Sequence, residues 1–183
     1  MTPQPETLTV SYHTAENLPA VEPLLLDLYA EIYATEAAED PFVSSGSPTA
    51  STTTPLPPRW GCALGEVDGV PIGYAYGFAR TADYKWAGLV SMVPGVDLTE
   101  HDTRTFALCE VMVRADFRGT GTARTLHEEL LSHRVGERSN LLVDEEHPKV
   151  RALYERWGYT EMGIMQPYPD SPRYVSMWRP ITL

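Results

Sequence analysis

The chain has 183 residues, 43% of them hydrophobic and 21% charged, with a formal net charge of −11. That length and balance suit one globular domain with a buried core. The acidic excess excludes a protein that grips nucleic acid through its phosphates. No apolar run reaches the ~18 residues that a bilayer crossing needs. The N-terminal MTPQPETLTV has no basic residue and no long apolar core, so it does not read as a secretory leader. The two cysteines, Cys62 and Cys109, support neither a disulfide framework nor a CxxC site. The expected setting is reduced and cytoplasmic, without membrane, nucleic acid or metal.

Leu8–Tyr12 alternates as a first strand does. A helix follows, starting between Asn17 and Pro23 and stopping before Pro41; Pro19 and Pro23 suit its first turn. Leu18, Val21, Leu25, Leu28 and Ile32 form one apolar stripe. Residues 1–58 hold no Lys or Arg but eight acids, including Glu22, Asp27, Glu31 and Glu36. This third either attracts a cationic partner or presents a solvated acidic face. Residues 44–58, SSGSPTASTTTPLPP, form a loop that cannot bury apolar area, either a lid or a neutral insertion within the single domain 1–183.

Cys62–Val67 and Ile72–Phe78 flank Asp68-Gly69, a hairpin signal. Residues 80–104 read as irregular. Thr105–Val113 reads as a buried strand with one carboxylate, Glu110, at its middle. Burial at such a place raises a carboxyl pKa towards a useful range. A turn then leads into a helix over 121–133 with Ala123, Leu126, Leu130 and Leu131 at helical spacing. Leu141–Val143 is a short strand, Pro148–Trp157 a helix stopped by Gly158 with Val150, Leu153, Tyr154 and Trp157 on one side, and Tyr159–Met165 and Tyr174–Trp178 are closing strands. Strands with interspersed helices make an α/β or α+β sheet protein.

The informative segment runs from Glu110 to Ala123. A strand ends at Val113, and a loop with Gly119 and Gly121 feeds a helix whose first amides are unpaired and whose dipole favours an anion. Arg114, Arg118 and Arg124 outweigh Asp116, so residues 113–124 carry +2 in a −11 chain. This points to a phosphate-bearing ligand. Arg124 stands where a GxGxxG fingerprint needs its third glycine, and no GK[ST] is present. His127-Glu-Glu-Leu-Leu131 begins like HExxH but lacks the second histidine, so zinc is dismissed.

Arg118-Gly-Thr-Gly-Thr-Ala123 resembles the Q/R-x-x-G-x-G/A signature of the GCN5-related N-acetyltransferases, the GNAT superfamily. His147-Pro-Lys-Val-Arg-Ala-Leu-Tyr-Glu-Arg-Trp-Gly-Tyr159 resembles that family's second motif, with His where Asn is usual. The resemblance covers roughly residues 60–180. It implies an α/β (α+β) fold with a GNAT-like mixed, mostly antiparallel sheet of six or seven strands, helices on both faces and a splay between strands four and five. It also implies acetyl-CoA as donor. The backbone of Val111, Met112 and Val113 would meet the pantetheine arm, with His147 a further contact. The amides of Arg118, Gly119, Thr120, Gly121, Thr122 and Ala123 would cradle the pyrophosphate, and Tyr154 would lie near the thioester sulfur. Many members of the family pair, so a homodimer is also compatible.

An amine must lose a proton before it attacks a thioester. Glu110 is the candidate base, Tyr154 the candidate acid for the departing thiolate, and an amide near Val111 or Met112 the donor to the oxyanion. Each has a plainer reading: Glu110 as an arginine's partner, Tyr154 as a core aromatic. Cys109 reads as a small buried hydrophobe rather than a nucleophile. Tyr33, Glu36 and Trp86 are candidate walls for a small-molecule amine acceptor, and Tyr29 and Tyr84 would suit an amphipathic amine. A non-catalytic acyl-CoA-binding module and a peptide or protein N-terminal or lysine acetyltransferase are the alternatives.

Overall fold

Asp68 and Gly69 both adopt positive φ, 52° and 76°, the conformation that a two-residue hairpin turn matching strand twist requires. They join β2 (Gly61–Val67) to β3 (Val70–Ala79), with Leu64 opposite Tyr74 and Cys62 opposite Tyr76. The computed structural model describes residues 7–39, 59–134 and 136–181. The expected loop at 44–58 lies outside them. The remaining elements are β1 (Leu8–Thr14), α1 (Leu18–Glu39), β4 (Leu89–Met92), β5 (Thr105–Val113), α2 (Thr122–Ser132), β6 (Arg138–Asp144), α3 (Pro148–Arg156), β7 (Thr160–Met165) and β8 (Tyr174–Pro180). They form a mixed α/β fold on an eight-stranded sheet, in the order β1-β2-β3-β5-β6-β8-β7-β4. Among the described residues no helix is long and apolar enough to cross a membrane.

The chain divides into two compact units, Met1–Gly77 with Glu110–His133, and Phe78–Cys109 with Arg134–Leu183. In the first, β1 pairs with β2 and β2 with β3, all antiparallel. An added Cβ on Gly65 would meet Leu126 of α2, so Ala63 and Gly65 lie on the face that lets α2 close in. Cys62, Leu64, Tyr74 and Tyr76 therefore share the opposite face, because successive side chains alternate. α1 buries Leu18, Val21, Leu25, Leu28 and Ile32, the expected stripe. Its start at Leu18 puts Pro23 inside the helix rather than in its first turn. The missing amide forfeits one bond, to the carbonyl of Pro19, and both prolines lie on the exposed side while the apolar stripe continues.

In the second unit, β6 pairs with β8 and β8 with β7, antiparallel. β5 and β6 run parallel for three pairs only, Thr105–Arg138, Phe106–Ser139 and Ala107–Asn140, and from Leu108 and Leu141 onward they no longer pair. These are the two strands expected to splay. β4 pairs with β7 inside the stretch expected to be irregular. Its four residues are half-buried or exposed, with Val90 and Met92 in solvent, so no alternation marks them. β4 brings the sheet to eight strands, against the six or seven expected. Val150 is a second correction: it is exposed, and α3 buries nothing fully, because Trp157 just beyond its end takes the core position.

Candidate functional site

Two glycines shape the loop between β5 and α2. Gly119 and Gly121 have φ of 76° and 94°, a region that side chains disfavour, and a Cβ on either would enter open space. Gly121 is the N-cap of α2 and supplies no side chain, so nothing caps the first amides from within. The loop is held in shape from its own atoms. Arg118 Nε donates to the Val113 carbonyl at 3.0 Å, and Thr120 Oγ1 donates to the Phe117 carbonyl at 2.6 Å and lies 2.8 Å from Thr122 Oγ1. Among the described residues no acceptor meets the amides of Gly119, Thr120, Gly121, Thr122 or Ala123. An open, pre-shaped row of donors at a helix start fits a diphosphate, so these residues suit the donor substrate that the motif implies.

The charge around this loop is lower than its composition suggests. Arg114 Nη2 donates to Glu31 Oε2 of α1 at 2.7 Å, which removes Arg114 from the positive count. Arg124 is exposed, 4.0 Å from Glu128. Beside the loop is a cavity of about 130 Å³ lined by Glu31, Ile32, Arg114, Ala115, Asp116 and Arg118. The sequence alone did not show that Glu31 and Arg114 meet, for they are 83 positions apart.

Glu110 is half-buried, not enclosed. Its Oε2 accepts a hydrogen bond from Tyr74, whose hydroxyl lies 3.1 Å away and whose side chain is fully buried. The same hydroxyl lies 3.1 Å from the Met112 sulfur. It has one proton, and a charged oxygen is the stronger acceptor, so the proton goes to Glu110. Burial first, then the Glu110 charge, push the Tyr74 phenol far above its usual range, so it stays a donor. Tyr29 of α1 shows the same sign for the same two causes, offset in part by a hydrogen bond with Tyr33. Tyr29 and Tyr33 have ring centroids 4.1 Å apart; Tyr74 lies 6.3 Å from Tyr76, and Tyr76 6.3 Å from Trp60. The hairpin spacing Tyr74-Ala-Tyr76, which puts two rings on one face, was the signal that could have located this series of rings.

Val111 is half-buried, and Met112 and Val113 are buried in the strand just before the loop. Cys109 is exposed, which corrects the expectation of a buried hydrophobe: the outer half of β5 turns it to solvent. Cys62 is the buried thiol, pushed up to about 12 by desolvation and therefore unreactive.

In the second unit, Tyr154 lies on α3 with its ring edge-on to Trp157 at 5.2 Å and Tyr159 at 5.6 Å. The residue is half-exposed, but its hydroxyl is desolvated and pushed up to about 12. His147 is the exposed N-cap of α3 and makes no capping bond with its side chain. Trp86 does not line an acceptor pocket. It is 4% exposed, packs with Met162 and Met165, and donates its indole N–H to the Leu98 carbonyl at 3.0 Å. Tyr84 packs against the same cluster. Glu36 lies on α1, and its side chain falls outside the described residues.

The profile of the acetyltransferase (GNAT) family matches residues 24–159, from within α1 through the loop and α3. The chain belongs to the GNAT family. No curated protein matches it. Among solved structures it is similar to an acetyltransferase of the GNAT family from Streptococcus pneumoniae (14% identity, 96% of this chain and 100% of that one, TM-score 0.60). It is also similar to the ribosomal-protein-S18-alanine N-acetyltransferase from Escherichia coli (18%, 97% and 96%, 0.58). A third similar structure is Arabidopsis thaliana Naa50 in complex with the bisubstrate analogue CoA-Ac-MVNAL (12%, 94% and 97%, 0.53). At these identities the likeness to the solved structures shows the GNAT fold alone.

Proposed function

We propose that the chain is an N-acetyltransferase that moves an acetyl group from acetyl-CoA to a primary amine of a cationic small molecule, by direct attack in a ternary complex. The observation that carries this reading is the uncapped row of amides from Gly119 to Ala123, held open by its own side chains at the end of the strand that bears Glu110. Those amides and Arg118 take the pyrophosphate; the backbone of Val111, Met112 and Val113 takes the pantetheine arm, with His147 a further contact. Acetyl-CoA supplies the activated acyl carbon. Glu110 removes the proton of the attacking amine, and the amide of Val111 or Met112 donates to the oxygen that gains charge. Tyr154, protonated throughout the neutral range, donates to the departing thiolate.

The test is a thermal shift followed by thiol release. Acetyl-CoA at about a hundredfold excess over its Kd should stabilise the chain by about 2.7 kcal/mol. Gly121→Val should abolish that shift, because it places a branched side chain at a φ of 94° beside the amides. No shift with the wild-type chain would overturn the reading, and a shift without turnover on any amine would make the chain a non-catalytic acyl-CoA-binding module. Cys109→Ser should retain turnover; its loss would replace direct attack by an acyl-enzyme route. The names of the Escherichia coli and Arabidopsis structures favour one further reading, an acceptor amine at a peptide N-terminus, so short peptides belong in the panel.

A further inference from the structure

We infer that the acceptor site at Glu110 selects a primary monoamine carried on an aromatic ring, in preference to a polyamine or a plain alkylamine. The inference rests on Glu110 being the acceptor's carboxylate. Three observations within the first unit support it. Glu110 is half-buried and its neighbours are phenols: Tyr74 holds Oε2 at 3.1 Å, and its charge is felt at the Tyr29 hydroxyl. Tyr29, Tyr33 and Tyr76 are each half-buried, so rings remain reachable from solvent, while Tyr74 and Trp60, the ring neighbours of Tyr76, are buried. The Tyr29–Tyr33 pair, 4.1 Å apart and tilted by 37°, and the Tyr74–Tyr76–Trp60 series offer flat apolar surfaces near one negative charge.

A carboxylate beside aromatic faces recognises a cation attached to a flat body twice over. The ammonium meets the charge and the ring quadrupoles, and the body stacks. A polyamine needs a second carboxylate at a matching distance. Glu31 does not supply it, because it holds Arg114 at 2.7 Å. Glu22 lies seven residues before Tyr29 on α1, about 10 Å along the axis.

The experiment compares 2-phenylethylamine, hexylamine, spermidine and a pentapeptide with an N-terminal phenylalanine as acceptors, by thiol release from acetyl-CoA with the full chain. The expected kcat/KM for 2-phenylethylamine exceeds that for hexylamine and for spermidine by about tenfold. Tyr29→Leu, which keeps apolar bulk and removes the ring, should collapse the aryl-to-alkyl ratio towards one. Preference for spermidine, a ratio near one in the wild type, or a ratio unmoved by Tyr29→Leu and Tyr33→Leu together would overturn the inference. The peptide as the better acceptor would also overturn the inference, because its amine belongs to a peptide end and not to a small aryl body. Saturation-transfer NMR of 2-phenylethylamine against hexylamine on the chain separates the two readings. Ring-dependent binding without turnover on any amine overturns the transferase reading and upholds this one. Turnover with no ring preference does the reverse.

Discussion

Each unit contains a cluster of aromatic rings around charge, and the two differ in how the charge is spent. In the first unit Tyr74 holds one oxygen of a half-buried Glu110. In the second, Glu100 has a fully buried side chain and accepts from Arg138 and Thr105 at 2.8 Å each. Arg138 also donates to the Thr105 hydroxyl and the Asp97 carbonyl, both at 2.7 Å. Arg138 lies over the Trp86 ring, and Arg80 lies 3.8 Å from the Tyr84 centroid. One cluster pairs its carboxylate with an arginine, through a single oxygen, and makes a core. The other leaves its carboxylate reachable. Each cluster sets one carboxylate among aromatic rings; access separates them.

The largest effect that would break this contrast is on activity. Glu110→Gln keeps shape and a hydrogen-bond acceptor but removes the base. Thiol release should fall about 10³-fold in kcat/KM, roughly 4 kcal/mol of barrier, with the acetyl-CoA thermal shift unchanged. A loss below tenfold would make Glu110 an ordinary strand residue. The counterpart, Glu100→Gln, should leave Arg138 as an uncompensated buried charge and cost about 3 kcal/mol of stability in urea unfolding. If the two substitutions exchanged their effects, the assignment of one cluster to chemistry and the other to core would be wrong.

The contrast also shows what could be read ahead of the structure. The hairpin at Asp68-Gly69, the strand to Val113, the loop and the helices after it are local patterns, in which neighbouring residues determine each other's conformation. The structure holds them close to their expected bounds. The partnerships were not legible. Tyr74 meets Glu110 across 36 positions and Arg138 meets Glu100 across 38, and periodicity reports that a face is buried, not against what. Trp86 illustrates the same limit: an isolated aromatic in an irregular stretch could equally wall a pocket or fill a core, and the neighbours that decide it, Met162 and Met165, lie more than 70 residues further along the chain. β4 escaped because four mostly exposed residues carry no pattern.

The smallest effect is the sharpest probe of the Glu110 cluster. A hydrogen bond donated to a carboxylate favours its ionised form, so Tyr74 keeps Glu110 ionised to lower pH than it would be alone. Tyr74→Phe removes the donor and nothing else of comparable size. A bond to a charged group is worth about 1.5–3 kcal/mol, and water replaces part of it. The acidic limb of kcat/KM should therefore move up in pH, while the plateau falls little. The alkaline side of the profile should not show Tyr154 below about pH 11, because its phenol, raised to about 12, keeps its proton until then. A purely structural Tyr74 would lower the folded fraction and leave both limbs where they were. A shift confined to the acidic limb is the signature of a buried hydroxyl acting through the one carboxylate it touches.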